Sequence, residues 1–224
     1  RSARVLRYAA SGSYASSSMP LGETYVLGAQ IHDGRTAFVA HAKRVSDGRP
    51  VIVKMLERAD ASAEAQQRLR YEFELASSLP DEAACVPTEL LELDETLVMV
   101  TEDRGFISLS RLLDKRTPTL MECLRVASGV AGCLARIHSR DVLHRDLSLA
   151  NVVIRPDTWD VRLIDFGLAS VLPRNVAGLS AGSKLEGTLA YISPEQSGRI
   201  NRLIDARSDL YSLGVVFYEL FTGA

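Results

Sequence analysis

The stretch His-Arg-Asp-Leu-Ser-Leu-Ala-Asn at residues 144–151 decides how this sequence is interpreted. Asp-Phe-Gly follows it at residues 165–167, and two short β-type runs, Val152–Ile154 and Val161–Ile164, occupy the interval. Each motif alone is a weak signal, because a tripeptide can arise by chance or form an ordinary turn. Both motifs in this order and at this spacing form a specific signal.

The two motifs together resemble the catalytic loop and the metal-binding loop of eukaryotic-type protein kinases. The resemblance implies that Asp146 orients the substrate hydroxyl and accepts its proton, while Asn151 and Asp165 hold magnesium against the phosphates of ATP. These residue types suit the chemistry, since phosphoryl transfer requires oxygens placed in line and negative charge neutralised. The resemblance also implies that His144 holds the loop by packing and hydrogen bonding, and that Arg145 is an arginine that meets an added phosphate.

Val-Ile-Val-Lys at residues 51–54 resembles the kinase strand whose lysine contacts the α- and β-phosphates. A lysine directed into a cleft needs an anionic partner to fix its long side chain. Glu72 is the best match for the partner of Lys54, and Glu74 is its rival. Glu72 is preferred because the leucines that follow it at helical spacing would anchor the helix against the sheet.

The resemblance assigns further residues to nucleotide binding, namely Gly34, Val39, Thr101, Glu102, Arg104 and Val153. Thr101 would be the gatekeeper, and backbone groups of Glu102 and Arg104 would hydrogen-bond to adenine. Gly34 is the one glycine of the phosphate-covering loop that remains, since His32 and Ala37 replace the other two. Both replacements reduce how closely the backbone approaches phosphate.

Two more positions depart from the family pattern. Ile52 replaces the alanine that usually covers adenine. Ser148 replaces the lysine that neutralises the moving phosphate in most Ser/Thr kinases. These departures keep two function classes open: an active Ser/Thr kinase, and a pseudokinase that binds nucleotide or a partner and acts as a regulatory module.

Two downstream segments favour a protein substrate. Gly-Thr-Leu-Ala-Tyr-Ile-Ser-Pro-Glu at residues 187–195 resembles the segment that closes the activation loop and receives the peptide, with Ser-Pro-Glu in place of Ala-Pro-Glu. Residues 209–214 resemble the start of the buried helix under the catalytic loop. Residues 185–223 also resemble the N-terminal kinase module of large hybrid sensor histidine kinases, which implies further signalling domains in the same parent chain.

The pattern along the chain predicts an α+β, two-lobed kinase-like fold. Residues 1–20 are expected to be a flexible tail, residues 21–102 a small, mostly β N-lobe, and residues 103–224 a mostly α C-lobe that is incomplete, with the adenine-proximal hinge near 101–105. Strands are predicted at Thr36–Ala42, Val51–Leu56 and Thr96–Thr101, and helices at Ala61–Leu79 and from Thr119. In the second helix, the expected buried face carries Leu120, Leu124, Ala127, Ala131, Leu134 and Ile137.

The composition is that of an ordinary globular protein, with 46% hydrophobic and 24% charged residues. A formal net charge of -2 argues against a nucleic-acid surface, and the sequence shows no membrane span or signal peptide. The three cysteines, Cys85, Cys123 and Cys133, lack the spacing of a zinc site or disulfide framework. They are expected to be buried, reduced thiols of a cytoplasmic protein.

Regulation is expected in the segment 168–185, which contains Gly, Pro and Ser residues. Ser180 and Ser183 are the candidate switch sites, because a phosphoserine would give Arg145 a negative partner. Thr188 is less favoured, since the matching family threonine usually bonds to the catalytic aspartate as an unmodified hydroxyl. A flexible, unregulated loop is the alternative.

Overall fold

The computed structural model describes residues 19–33, 37–56, 62–93, 96–171 and 188–223. The chain forms two compact units. Unit 1 comprises the chain through Ser77 together with Val86–Arg104, and unit 2 comprises Ser78–Cys85 together with the chain from Gly105. The predicted α+β class, with a mostly β first part and a mostly α second part, is confirmed.

Unit 1 contains a six-stranded antiparallel sheet with the order β1-β2-β3-β4-β6-β5. Its strands are β1 (Met19–Leu21), β2 (Tyr25–Asp33), β3 (Ala37–Arg44), β4 (Pro50–Leu56), β5 (Pro87–Leu93) and β6 (Thr96–Glu102). One face of β3, β4 and β6 is buried in an apolar core, to which Ala40, Val53 and Val100 belong. The predicted strands therefore lie within two residues of the observed ones, because their alternating pattern reports a half-buried sheet.

Strand β1 corrects the predicted tail, which was expected to extend to residue 20. Met19 to Leu21 pair with Leu27 to Tyr25 of β2, so residues 19 and 20 belong to a strand. Leu21 is buried in the core of unit 1. A three-residue edge strand is too short to show a hydrophobic period, which explains why the sequence pattern missed it.

Helix α1 (Ala63–Ser77) packs on the sheet of unit 1. Leu69 joins Leu56 of β4 and Met99 of β6 in a second apolar cluster. Glu72 lies on the same buried side of α1, whereas Glu74 is exposed. The helix predicted at Ala61–Leu79 is thus present and shorter by two residues at each end.

Unit 2 is mainly helical. Its helices are α2 (Leu109–Leu113), α3 (Leu120–His138), α4 (Ala206–Thr222) and a 3-10 turn at Leu189–Tyr191. Its short strands are β7 (Ile107–Ser108), β8 (Val142–Leu143), β9 (Val152–Ile154), β10 (Val161–Leu163) and β11 (Ser170–Val171). They form a β10-β9-β7 sheet and a β11-β8 pair. Residues 78–85 also belong to this unit, because they form backbone hydrogen bonds with β10. The predicted boundary at one point of the chain did not include this segment.

Helix α3 begins with the predicted capping box. Thr119 Oγ1 accepts the N–H of Glu122 at 3.3 Å, and the Glu122 carboxylate accepts the N–H of Thr119 at 2.7 Å. The predicted buried face is wrong at three positions, because Leu120 and Leu124 are 69% and 48% exposed and Ala131 is only partly buried. The buried positions instead follow a narrower stripe, which comprises Cys123, Val126, Ala127, Val130, Cys133, Leu134 and Ile137. The stripe begins one helical turn later than the predicted face.

The cysteines are free thiols, as expected, although only two of them are buried. Cys85 is partly exposed, while Cys123 and Cys133 lie inside the stripe of α3. Burial raises the pKa of Cys133 to about 11, so its thiol stays protonated at neutral pH.

No helix in the described part of the chain has the length and hydropathy that a membrane span requires.

Gly129 lets α3 approach β10 closely. A Cβ atom at this position would lie 2.5 Å from Cγ2 and 2.9 Å from Cβ of Val161. A rotamer change cannot relieve the second contact, since the backbone of β10 fixes the Val161 Cβ atom. Gly214 of α4 offers a matched control, because its added Cβ would meet nothing within 4 Å.

We expect Gly129→Ala to lower the free energy of unfolding by about 1–3 kcal/mol, the usual cost of overpacking. Gly214→Ala should raise it by up to about 1 kcal/mol, because alanine is the better helix former. Urea denaturation of both variants measures the difference. Equal stabilisation by the two alanines would contradict the close approach of α3 and β10.

Candidate functional site

The first group of predicted site residues lies in unit 1 around Lys54. Its Nζ atom lies 2.7 Å from Oε1 and 2.9 Å from Oε2 of Glu72, and both side chains are largely buried. Helix α1 presents Glu72 because Leu69, one turn earlier, packs on the sheet. The predicted pair of Lys54 with Glu72 rather than Glu74 is therefore confirmed as a contact.

Strand register places other predicted nucleotide-binding residues on the Lys54 side of the sheet. Val39 is directly opposite Lys54, and Thr101 is directly opposite Ile52. Opposed residues of antiparallel strands share a face, so these four side chains lie on the face away from the core of unit 1. Val39, Ile52 and Thr101 are partly exposed there.

The end of β6 leads into the predicted hinge. Glu102 ends the strand, and its carboxylate accepts a hydrogen bond from the Arg104 guanidinium at 3.2 Å. The N–H of Asp103 donates to the Pro50 carbonyl at 3.1 Å, which holds the chain against β4. The two side chains of Glu102 and Arg104 thus engage each other. The predicted adenine contacts involve only their backbone groups and stay a prediction.

The second group lies in unit 2 around Asp146. Its Oδ1 atom accepts the N–H of Thr188 at 2.8 Å and the Thr188 hydroxyl at 3.0 Å. Its Oδ2 atom accepts the Asn151 amide at 3.1 Å, and the same amide donates to the Asp146 carbonyl at 2.8 Å. Each carboxylate oxygen is therefore oriented by a donor from a different part of the chain.

Asn151 and Asp165 fit the donor set that magnesium requires. The Asn151 amide nitrogen points to Asp146, which leaves its side-chain oxygen as the ligand atom. The N–H of Ile164 donates to the Asn151 carbonyl at 3.0 Å, so the residue before Asp165 is tied to Asn151. Among the described residues, no group of three or more His, Cys, Asp or Glu side chains could hold a metal. Proteins bind magnesium through one or two side chains plus phosphates, and two oxygen ligands are what Asn151 and Asp165 offer.

Buried Asp209 of α4 holds the loop that carries Asp146. Its Oδ1 atom accepts the N–H of Arg145 at 2.7 Å, and its Oδ2 atom accepts the N–H of His144 at 2.9 Å. Nε2 of His138 donates to Oδ2 at 2.8 Å. Three donors thus compensate one carboxylate that is 1% exposed.

Asp209 is ionised in this setting. Burial alone would raise the pKa of this carboxyl, but the hydrogen bonds from His138 and from the two backbone N–H groups help to lower it, and the pKa lies below its usual value. The ionised form is thus favoured by folding.

His144 has the structural role that the sequence analysis expects. The ring is fully buried and packs 4.9 Å from the Phe166 ring. Nε2 donates to the Ile164 carbonyl at 3.0 Å, and Nδ1 accepts the N–H of Asp146 at 3.3 Å, which defines the neutral tautomer. The histidine thereby joins the two predicted motifs.

Segment 188–196, which comprises the described residues of the predicted peptide-receiving segment 187–195 and Gln196 after them, is anchored on α4. The Tyr191 hydroxyl donates to Glu219 at 2.6 Å, and burial followed by this bond raises the tyrosine pKa to about 12. The Ser212 hydroxyl donates to the Tyr191 carbonyl at 2.7 Å. Burial opposes ionisation of Glu195, but the hydrogen bond from Ser208 at 2.6 Å, together with its other hydrogen bonds and nearby Arg202, lowers the pKa of this carboxyl.

Helix α4 begins earlier than predicted and is less buried. Asp205 caps it, so Asp209 lies in its first turn rather than at its start. Buried residues of α4 include Asp209, Leu213 and Val216, whereas Leu210 and Tyr218 are more than half exposed. Helix α4 is thus amphipathic, and its buried side carries a carboxylate.

Sequence reasoning missed two further residues of the site, His138 and Gln196. It also missed that Asp209 anchors the loop that carries Asp146. Gln196 directly follows Ser-Pro-Glu, and its amide donates to the Arg145 carbonyl at 2.8 Å. No local pattern announces these residues, because their partners lie 51 to 71 positions away in the chain. For Asp209, the only signal in the sequence was a polar residue inside an otherwise apolar helical stretch.

Some predicted residues lie outside the described part. These are Gly34 and the candidate switch serines Ser180 and Ser183; of His32, the structure describes the strand but not the side chain. Val153 is buried in β9, and Ser148 is 1% exposed. The Ser148 hydroxyl has no hydrogen-bond partner among the described residues.

Comparison with known proteins gives the family. A family model described as the protein kinase domain matches residues 25–224. A probable serine/threonine-protein kinase of Streptomyces coelicolor is 34% identical over 209 residues, which cover 90% of this chain and 30% of that protein. The serine/threonine-protein kinase PknL of Mycobacterium tuberculosis is 33% identical over 205 residues, which cover 91% of this chain and 50% of that protein.

A crystal structure of a kinase domain has the same fold, with a TM-score of 0.80 at 15% identity over 94% of this chain and 68% of that chain. The loop geometry and the fold together define a protein-kinase-like domain. The chain belongs to the protein kinase domain family, as its motifs predicted. It spans between about a third and a half of the length of the two curated relatives.

Asp209 generates a prediction about pH. Its folded pKa lies below its unfolded value, about 3.9, so ionised Asp209 adds stability above that pH and loses it as the pH falls through the folded pKa. We expect Asp209→Asn to lower the free energy of unfolding at pH 7 by about 2 kcal/mol, because a charged acceptor is lost. The variant should also lose less stability between pH 5 and pH 3.

Urea denaturation at a series of pH values measures both effects. Asp114→Asn, at an exposed position, is the control and should follow the parent curve. A pH dependence in Asp209→Asn as steep as that of the parent would show that another group carries it.

Proposed function

We propose that this chain is the catalytic domain of an ATP- and magnesium-dependent protein Ser/Thr kinase. The observation that carries the proposal is the double orientation of the Asp146 carboxylate, by Thr188 on one oxygen and by Asn151 on the other. Such an oriented carboxylate can position a hydroxyl and accept its proton. The names of the relatives, which are serine/threonine-protein kinases, support the same activity.

The proposed reaction forms a bond between the substrate oxygen and the γ-phosphorus of ATP, and breaks the bond from that phosphorus to the β,γ-bridging oxygen. Asp146 accepts the proton of the Ser or Thr hydroxyl, and ADP leaves. Thr188 keeps the carboxylate from rotating, because its N–H and hydroxyl both bond Oδ1. The remaining lone pairs of the carboxylate can then face the attacking hydroxyl.

Lys54 supplies positive charge for the α- and β-phosphates. Its flexible four-carbon stem costs entropy to order, and Glu72 removes part of that cost by holding Nζ with both carboxylate oxygens. Val39, Ile52 and Thr101 on the same sheet face provide the apolar surface for adenine. Glu102 and Arg104 contribute backbone groups to the same nucleotide.

Magnesium, when bound, neutralises phosphate charge in this chemistry. The Asn151 side-chain oxygen and the Asp165 carboxylate are the residues that would hold it. Asp165 adopts a left-handed backbone conformation, with φ of 64°, which is unusual for a residue other than glycine. Strained conformations of this kind concentrate at functional sites.

Ser148 favours the second candidate, a regulatory pseudokinase. The position that usually supplies a lysine holds a buried hydroxyl without a hydrogen-bond partner in the described residues. It therefore adds no charge against the moving phosphate. Under this second proposal the domain binds nucleotide or a partner and does not turn over ATP.

Phosphotransfer from labelled ATP by the full-length protein tests the proposal. We expect magnesium-dependent incorporation into Ser or Thr residues of a general acceptor protein, and a decrease of about 10²–10⁴-fold in Asp146→Asn, which removes the base. Asp165→Ala should abolish magnesium-dependent ATP binding. ATP binding without transfer in the parent protein would select the pseudokinase.

The Lys54–Glu72 pair gives a matched test on helix α1. Glu72→Gln removes the counter-charge of Lys54, and we expect kcat/KM for ATP to fall by about 10- to 100-fold, as for loss of a charged hydrogen bond. Glu74→Gln changes an exposed residue of the same helix and should leave kcat/KM within about twofold. Equal losses in both variants would remove Glu72 from the nucleotide site.

We further propose that the domain acts within a larger cytoplasmic signalling protein, on a protein substrate, without contact with nucleic acid or membrane. The similarity to the kinase module of hybrid sensor histidine kinases stays a prediction, and it rests on residues 185–223. Regulation through Ser180 or Ser183 is also a proposal. Its support is Arg145, whose Nε atom is buried without a hydrogen-bond partner among the described residues.

A further inference from the structure

We propose that Gln196 is a positioning residue for phosphotransfer, which fixes the peptide unit between Arg145 and Asp146 and couples it to the peptide-receiving segment 188–196. For its catalytic consequence, the inference rests on the proposed kinase activity. The structural part of the inference is independent of that activity.

Arg145 has a strained backbone conformation. Its φ of 66° lies in the left-handed region that residues with a Cβ atom avoid. Such a conformation persists only where the surroundings hold it. Because Arg145 directly precedes Asp146, its dihedral angles decide where the Asp146 side chain begins.

Two side chains hold the peptide units on either side of Arg145. Asp209 accepts the Arg145 N–H at 2.7 Å and so fixes the unit before the residue. Gln196 donates from Nε2 to the Arg145 carbonyl at 2.8 Å and so fixes the unit after it. This second unit carries the N–H of Asp146, which makes only a long bond of 3.3 Å to Nδ1 of His144. Gln196 is therefore the stronger constraint on the peptide that bears Asp146.

Gln196 is suited to this task because both ends of its amide are required. The side chain is buried, and its Oε1 atom accepts the Ser193 hydroxyl at 2.9 Å and the Ser193 N–H at 3.3 Å. The Arg145 carbonyl needs a donor and the Ser193 N–H needs an acceptor, which defines the orientation of the amide. A carboxylate at this position would keep the acceptor and lose the donor.

These contacts attach segment 188–196 to the catalytic loop at a second point. Thr188, at one end of the segment, bonds the Asp146 carboxylate, and Gln196, at the other end, bonds the backbone before Asp146. A shift of the segment thus moves both the carboxylate and its backbone. Gln196 makes the placement of Asp146 depend on the placement of the segment that receives the substrate.

The test compares three variants of the full-length protein. Gln196→Glu keeps the shape and the acceptor, Gln196→Met keeps the approximate volume and loses both groups, and Ser197→Ala removes a bond to the Pro194 carbonyl in the same turn without touching Arg145. We expect both Gln196 variants to lower kcat by about 10- to 100-fold, since small displacements of reacting groups have effects of this size. KM for ATP should stay within about twofold, and Ser197→Ala should match the parent.

Hydrogen–deuterium exchange supplies a readout that does not need activity. Peptides covering residues 142–151 should exchange faster in both Gln196 variants, while peptides covering α3 should exchange as in the parent. Unchanged exchange at 142–151 overturns the inference, and so does a general acceleration that includes α3, which would indicate only lost stability. Faster local exchange with unchanged kcat overturns the catalytic part. If the parent protein transfers no phosphate, the proposed function fails, and exchange still decides whether Gln196 positions the loop.

Discussion

The buried carboxylate of Asp209 is the interaction on which unit 2 depends. Burial of an ion is unfavourable unless hydrogen bonds replace its hydration, and three N–H donors from α3 and the catalytic loop do so here. Two of these donors are backbone N–H groups of His144 and Arg145, so the ion is compensated only when the loop has its observed course. The burial of Asp209 in α4 is therefore stable only when the loop has this geometry. A change in either the helix or the loop leaves a buried charge without its donors.

The same helix also anchors the segment that is proposed to receive the substrate. Ser208, Ser212 and Glu219 bond Glu195, the Tyr191 carbonyl and the Tyr191 hydroxyl. Ser212 follows Ser208 by four positions and Glu219 follows Ser212 by seven, which keeps the three residues near one side of α4. Helix α4 thereby supports both the loop that carries Asp146 and segment 188–196. Rigid support of this kind matters in phosphoryl transfer, because catalysis comes mostly from positioning and electrostatics.

Sequence reasoning predicted the parts whose signal is local. Strands β3, β4 and β6, helix α1 and the Thr119 capping box follow from alternation, helical spacing and capping chemistry, and the kinase motifs gave Lys54, Asp146, Asn151 and Asp165. The choice of Glu72 over Glu74 was correct because the spacing of the leucines in α1 indicates which side of the helix is buried. The errors have a physical origin too. Leu120 and Leu124 fit a helical period but lie outside the stripe that packs, and β1 is too short to have a period. The partners of Asp209 and Gln196 are set by tertiary contacts, which no local pattern encodes.

The substitution at Ser148 places the electrostatic demand of the proposed reaction on other groups. In residues 144–151, Arg145 is the one permanently charged basic residue. Its backbone N–H and carbonyl form hydrogen bonds with Asp209 and Gln196. A serine hydroxyl carries no charge, and at 1% exposure this one has no access to a solvent-facing phosphate. In the proposed reaction, neutralisation of the transferred group would then fall to the metal that Asn151 and Asp165 would hold. Under the proposed function, the chain thus keeps the groups that would orient the nucleophile, while Ser148 supplies no charge to stabilise the transferred phosphate. The rate of the proposed transfer would then depend on how completely a bound metal compensates for the missing lysine.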